Sequence, residues 1–143
     1  MPRHQLADGV YHVTARGTGG IPIFVHDLDR LDFLSLVDRA RRRFDCRCSA
    51  YCLMGTHYHL VLESTRENLS TGMRWLNGTY AQRFNRRHER RGHLLQRRFS
   101  VWIVRDDTHL AATLEYVFEN PVRDGLCAQV GDWPWAARLP TSS

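Results

Sequence analysis

Two histidines separated by one residue are the first feature of this sequence with the potential for chemistry. His57 and His59 flank Tyr58 within an otherwise apolar run. Alternate side chains of a β-strand point to the same face, so both imidazoles can reach one metal ion while Tyr58 faces the opposite layer. Taken alone the triplet is a weak signal, because a chain with eight histidines can contain such a pattern by chance.

A tyrosine and an asparagine four residues apart form the second chemical pattern. Tyr116 and Asn120 share one face of a predicted helix, which Pro121 is expected to end. A phenol beside a carboxamide oxygen would bring a nucleophile and a third metal ligand to a two-histidine site. The alternative is structural: Tyr116 is then a half-buried aromatic residue and Asn120 a helix C-cap.

Hydrophobic periodicity predicts the elements that must position these residues. β-Branched and aromatic runs predict strands, and apolar residues repeating every three to four positions predict three amphipathic helices. The predicted strands are 9–15, 46–53, 57–63 and 99–104, and the predicted helices begin at Asp27, at Asn68 or Ser70, and after Asp106 or Asp107. This order predicts an α+β fold, a ferredoxin-like β-α-β-β-α-β sandwich with an added C-terminal helix that bears the tyrosine.

The 143 residues are expected to form a single domain, 1–143, whose tail is irregular after Trp133 and mobile over 137–143. Apolar runs stay well short of the 18 or so residues that a membrane helix needs, and the first six residues do not lead into a signal peptide. The sequence therefore predicts a cytoplasmic, nucleoid-associated protein without a membrane partner.

Arginine supplies all 20 basic residues and a formal net charge of +5. Guanidinium groups bind phosphate oxygens two at a time, which favours a nucleic acid partner, although a GC-rich genome would also explain the missing lysine. Trp75, Tyr80 and Trp102 either stack on unpaired bases or pack in the core. The clustered arginines that we expect to contact DNA are Arg83, Arg86, Arg87, Arg90, Arg97 and Arg98.

Four cysteines allow two disulfides or a zinc site, but their spacing supports neither. Cys46, Cys48 and Cys52 are expected to share one face of a strand as small buried apolar side chains.

Longer segments around both chemical patterns resemble a known family. MGTHYHLVL at 54–62 and EYVFENPVRDGL at 115–126 are similar to the histidine strand and the tyrosine helix of the single-tyrosine HUH transposases, and within them of the REP-associated tyrosine transposases. Phe24 and Val25, and QRRF at 96–99, are also similar, and the resemblance spans residues 8–136. One departure is the turn 54–56, where the family commonly has a Met-Pro-Asn-like sequence.

The resemblance implies a site and an activity. His57, His59 and Asn120 would bind Mg²⁺ or Mn²⁺, and Tyr116 would attack single-stranded DNA that carries a hairpin, forming a 5′-phosphotyrosine intermediate for strand transfer. The protein would act as a monomer or homodimer, and the short connection after Val104 favours assembly of the site within one chain. Because histidine binds metal only when neutral, we expect activity to fall as the pH drops through about 6.5.

Two other functions fit parts of the sequence. The chain could be a non-catalytic nucleic-acid-binding module on a ferredoxin-like fold, using its sheet and its arginines. It could also be a metal-binding regulatory or hydrolytic protein in which a cysteine joins His57 and His59.

Overall fold

The chain follows the predicted order of strands and helices and adds one strand at its end. A computed structural model describes residues 9–140. The start of the chain, where no signal peptide is expected, and residues 141–143 of the expected mobile tail lie outside this range. The elements are β1 (Val10–Arg16), α1 (Asp27–Phe44), β2 (Arg47–Leu53), β3 (His57–Glu63), α2 (Arg66–Arg87), β4 (Ser100–Val104), α3 (Asp107–Arg123) and β5 (Ala136–Arg138). In this range, no helix has the length and apolar character needed to span a membrane.

The strands form one antiparallel sheet in the order β4-β1-β3-β2-β5. Its first four strands have the ferredoxin-like order, which confirms the predicted fold class. The expectation of an irregular tail is wrong for Ala136–Arg138, which pairs with residues 50–52 of β2. The exposed edge of β2 offers unpaired backbone groups that this short segment satisfies, and a three-residue strand is too short to give a periodic signal.

The two faces of the sheet are covered by different helices. α1 and α2 pack on one face, where Phe33, Tyr58 and Leu76 are almost fully buried, and Tyr58 thus points away from its neighbouring histidines as predicted. α3 packs on the other face through Leu114 and Val117. This second face carries the even-numbered residues of β1 and the odd-numbered residues of β3.

Two helix boundaries differ from the prediction. α2 begins at Arg66, because the Thr65 hydroxyl accepts a hydrogen bond from the Asn68 amide at 3.0 Å and so caps the helix one turn before the expected start. α3 does not end at Pro121 but continues to Arg123. A proline removes one N–H group only, and the bond from the Asp124 amide to the Asn120 carbonyl, 3.0 Å, closes the last turn.

The cysteines are free, and Cys46, Cys48 and Cys52 are buried as predicted, but they do not share a face. Cys46 and Cys48 lie in the core under α1 and α2, whereas Cys52 lies under α3. A bulge between Cys48 and Ala50 shifts the register of β2 against β3. One extra residue in a strand reverses the faces of all residues that follow it.

Candidate active site

The middle of the sheet holds three imidazoles on the face that α3 covers. His57 and His59 lie on β3 with their ring centroids 5.2 Å apart and the rings at 80°. His12, on the adjacent β1, stacks on His59 at 5.3 Å. Only 8% of His12, 6% of His57 and 3% of His59 is exposed, so the three side chains are held by the sheet and by their neighbours.

The ring nitrogens of the histidines differ in their hydrogen-bond partners. Nδ1 of His59 is hydrogen-bonded to Nε2 of His12 at 3.0 Å, and Nδ1 of His57 lies 3.2 Å from the Thr56 hydroxyl. The Nε2 atom of His59 is buried and has no hydrogen-bond partner within the described part of the chain. A buried polar nitrogen without a partner is costly unless a ligand completes it, so this atom fits a cation.

The environment favours the neutral form of all three imidazoles. Burial lowers the pKa of His59 to about 3, with further lowering from His12, His57 and two nearby arginines. Burial also lowers the pKa of His57 and brings that of His12 to about 4. Since all three pKa values are lowered, the fall in activity that the sequence predicts near pH 6.5 is expected at lower pH, because the sequence does not reveal how deeply these side chains are buried.

The turn before His57 is fixed by the loop that follows β1. The Gly17 amide donates to the Thr56 carbonyl at 2.8 Å, and the Ile23 amide donates to the Gly55 carbonyl at 2.8 Å. A Cβ atom at Gly17 would lie 2.1 Å from the Ile21 carbonyl oxygen, so only glycine fits there. The turn that departs from the family pattern is thus held in one conformation beside the histidines.

Tyr116 projects from α3 towards the imidazoles of the same chain. Its ring centroid lies 6.0 Å from that of His59 and 6.1 Å from that of His12. Burial of Leu114 and Val117 against the sheet fixes α3 and thereby the tyrosine, which itself stays 51% exposed. The phenol is therefore both close to the histidines and accessible to a large substrate.

Asn120 and Arg123, one and two helical turns after Tyr116, both contact it. Asn120 is buried and donates its amide N–H to the Tyr116 carbonyl at 3.2 Å, which leaves its amide oxygen available to a ligand. The guanidinium of Arg123 lies 4.5 Å from the centre of the Tyr116 ring and donates to the same carbonyl at 2.8 Å. Asn120 is not the C-cap, a position that Asp124 occupies.

A groove of about 990 Å³ runs along β4 beside the tyrosine. Its lining includes His59, Tyr116, Arg16 and the half-exposed Trp102, whose ring centroid lies 5.1 Å from that of His12. Exposed aromatic and cationic side chains suit an unpaired nucleic acid strand. Of the two alternatives given for Trp102, its exposure is compatible with base stacking.

The other two aromatic residues belong to the core. Tyr80 is fully buried, and its hydroxyl donates to the Ile23 carbonyl at 2.6 Å. Trp75 is partly buried and packs against Phe44. Of the two alternatives given for these residues, the structure supports packing.

The six candidate arginines divide into two groups. Arg83 and Arg87 form ion pairs with Asp32, and Arg87 also binds Asp29, which is fully buried, at 2.7 Å. Arg90 donates to the carbonyls of Gly92 and His93 and so holds the loop after α2. These three arginines stabilise the fold. The other three candidates, Arg86, Arg97 and Arg98, have exposed side chains and no ion-pair partner among residues 9–140.

Within residues 9–140, no group of three or more His, Cys, Asp or Glu side chains is arranged to hold a metal ion. No such group supports the hypothesis that a cysteine completes a site with His57 and His59. The sequence prediction adds the Asn120 amide oxygen to the two histidines as a third donor.

The sequence patterns did not single out His12, Arg16 or Arg123. His12 is a polar residue between the apolar Tyr11 and Val13 of β1, which is a signal that could have drawn attention to it. Arg16 pairs with His57 across the strands, and Arg123 lies seven residues after the tyrosine. Their proximity to the site becomes visible only through the strand pairing and the helix.

Comparisons with known proteins agree with this architecture. A solved structure of a REP-associated tyrosine transposase bound to a REP hairpin has a TM-score of 0.74 and 17% identity, covering 90% of this chain and 76% of that one. A structure assigned as a transposase from Deinococcus radiodurans R1 has a TM-score of 0.56 and 18% identity, covering 78% of this chain and 88% of that one.

Sequence comparisons point the same way. A Haemophilus influenzae (strain Rd) protein assigned as a REP-associated tyrosine transposase is 26% identical over an alignment of 117 residues, and the match covers 74% of this chain and 66% of that protein. The model of the IS200-like transposases matches residues 6–120. The chain belongs to the IS200-like transposase family.

Proposed function

We propose that this protein nicks and rejoins single-stranded DNA as a transposase, through a covalent bond between Tyr116 and DNA. The observation that carries the proposal is the position of the accessible Tyr116 phenol, with its ring centroid 6.0 Å from that of His59, within one chain. Because the tyrosine and the histidines belong to the same chain, a monomer contains every residue that the proposed reaction needs, and a homodimer would contain two such sites.

The proposed reaction begins when the Tyr116 oxygen attacks the scissile phosphorus. A bond forms between the phenol oxygen and phosphorus while the bond from phosphorus to the 3′ oxygen breaks. The phenol proton leaves to solvent, and the departing 3′ oxygen takes up a proton to become a hydroxyl. The product is a 5′-phosphotyrosine, and attack by another 3′-hydroxyl reverses these steps and joins two strands without ATP.

The residues that would hold a divalent cation are His57, His59 and Asn120. His59 offers a buried Nε2 without a partner, and the amide nitrogen rather than the oxygen of Asn120 is occupied. When bound, Mg²⁺ or Mn²⁺ would polarise the scissile phosphate and offset the charge that develops on its oxygens. Since imidazole suits transition metals better than Mg²⁺, Mn²⁺ is the better probe of this site.

The groove along β4 is the proposed path of the DNA strand. Arg16 lines it beside the histidines, and Trp102 offers an exposed ring on which an unpaired base can stack. Arg97 and Arg98 precede β4 and would neutralise phosphates further along the strand. The similar structure was solved with a REP hairpin, and we propose hairpin-bearing single-stranded DNA as the substrate of this chain as well.

The test is the formation of a covalent adduct. The protein is incubated with Mn²⁺ and hairpin-bearing single-stranded DNA labelled on the 3′ side of the cleavage region, and labelled protein is sought on a denaturing gel. The wild type and a Tyr51→Phe control, which alters a tyrosine on β2, should form the adduct, whereas Tyr116→Phe should not. An adduct in Tyr116→Phe would show that another residue is the nucleophile. Binding without any adduct would favour the non-catalytic nucleic-acid-binding module.

A further inference from the structure

We propose that His12 is a positioning residue that orients His59 for metal binding by accepting a hydrogen bond from its Nδ1–H. The inference rests on the proposed function and adds a residue to that site. It assigns to His12 no contact with the DNA and no ligand bond to the cation.

The contact between the two histidines is specific and buried. Nε2 of His12 lies 3.0 Å from Nδ1 of His59, and the two rings stack at 24°. Both residues are more than nine-tenths buried, so water does not compete for this hydrogen bond. Forty-seven residues separate them in sequence, and only the pairing of β1 with β3 brings them together.

The tautomer of His59 follows from which nitrogen is left for the cation. A neutral imidazole carries a proton on one nitrogen and a lone pair on the other. If the unpartnered Nε2 of His59 is to bind a cation, the proton must be on Nδ1, and that proton needs an acceptor. Nε2 of His12 is the atom within reach, so His12 selects the binding-competent tautomer.

The choice of a histidine as acceptor has an electrostatic consequence. Metal-binding histidines usually donate to a carboxylate, a backbone carbonyl or water. A carboxylate would offset part of the cation's charge, whereas a neutral imidazole fixes the orientation of His59 without adding a negative charge. The full charge of the cation would then remain available to the phosphate.

His12 is itself held in place by rings on two sides. Trp102 on β4 lies 5.1 Å from it and Tyr116 on α3 lies 6.1 Å from it, as ring centroid distances. A phenylalanine at this position would keep the ring and these contacts but could not accept the hydrogen bond. A glutamine would place an amide oxygen near the position of Nε2 and keep the acceptor. His12→Phe and His12→Gln are therefore the matched pair that tests the proposal.

The first measurement reads the tautomer without metal or DNA. In ¹⁵N-labelled protein, long-range ¹H–¹⁵N spectra distinguish the protonated from the unprotonated nitrogen of each imidazole. We expect the Nδ1–H form of His59 in the wild type and in His12→Gln, and a shift towards the Nε2–H form in His12→Phe. An unchanged Nδ1–H form in His12→Phe would overturn the proposal.

The second measurement is the affinity for Mn²⁺ alone, by titration calorimetry. Loss of such a partner should weaken binding by about 10- to 100-fold in His12→Phe, and His12→Gln should recover most of it. Equal affinities in His12→Phe and wild type, or equal weakening in both variants, would refute the role of the acceptor. If the wild type forms the Tyr116 adduct while His12→Phe binds Mn²⁺ with wild-type affinity, the role of His12 is refuted and the proposed function stands. If the wild type neither binds Mn²⁺ nor forms the adduct, the proposed function itself is refuted.

Discussion

A pair of arginine substitutions can separate the arginines that hold the fold from those that we expect to contact DNA. Arg87→Ala and Arg98→Ala each remove one positive charge from this basic chain. Arg87 binds the buried Asp29 at 2.7 Å and Asp32 at 3.3 Å, joining α2 to α1. Arg98 is exposed on the loop before β4 and forms no ion pair within residues 9–140. The two substitutions should therefore have different effects.

The structure sets the size of the effect of Arg87→Ala. Removing one partner of a buried ion pair costs about 3–5 kcal/mol, because the other charge stays buried and unpaired. The Arg87 side chain is 24% exposed, and His88 still contacts Asp29 at 2.9 Å, so the expected loss lies nearer to about 2–3 kcal/mol. For a chain of this size that corresponds to a fall in melting temperature of about 6–9 °C. Arg98→Ala should change the free energy of unfolding by no more than about 0.5 kcal/mol.

Two assays on the same samples read both effects. Thermal unfolding followed by circular dichroism gives the melting temperature. Fluorescence anisotropy with labelled single-stranded DNA, repeated over a range of salt concentrations, gives the number of phosphates neutralised. Loss of one contact lowers the slope of log affinity against log salt by about 0.7, which we expect for Arg98→Ala and not for Arg87→Ala measured well below its melting temperature.

The reasoning is refuted if the two variants exchange behaviours. If Arg87→Ala has the melting temperature of the wild type and a smaller slope of log affinity against log salt, this arginine must leave Asp29 to bind phosphate. An Arg98→Ala protein with an unchanged slope would show that this loop does not contact the DNA, and Arg16, which lines the groove, would become the candidate for phosphate contact.

Three further predictions follow from the charges and the exposed ring. The midpoint of the proposed nicking in a pH–rate profile should lie below pH 6.5, since burial lowers the pKa values of His57 and His59 and so favours the neutral imidazoles that bind metal. A midpoint at or above 6.5 would contradict this. Although burial opposes it, hydrogen bonds from the His26 backbone amide and then from the His88 side chain lower the pKa of Asp29 to about 2. The stability that this carboxylate contributes is therefore complete above about pH 4 and is lost towards pH 2. Asp29→Asn should flatten this part of an acid-unfolding curve. Trp102→Ala should weaken binding to single-stranded DNA by about 1–3 kcal/mol in an anisotropy assay, whereas Trp75→Phe on the opposite face should not.

The helices and longer strands could be predicted because the residues within each element determine its hydrophobic period and its ends. α1 runs over the predicted range because its apolar residues repeat at helical spacing and an αL residue, Asp45, follows it. β5 could not be found in this way, since three residues carry no period and are ordered only by the edge of β2. The bulge in β2 was also invisible, because it is defined by its partner strand, and it moved Cys52 to the other face.

The candidate site also combines features that local sequence determines with features that depend on strand pairing. The spacing of His57 and His59 and the four-residue step from Tyr116 to Asn120 are properties of one strand and one helix, and a sequence displays both. The placement of His12 depends on register: β1 pairs antiparallel with β3 so that Thr14 is opposite His59, and His12 lies one pair further along the same face. A register shift of one residue would turn His12 into the other core and leave Nδ1 of His59 without its acceptor. The residue proposed to select the tautomer of His59 is thus placed by strand pairing, which is why the sequence pattern drew attention to the proposed ligands but not to the residue that orients one of them.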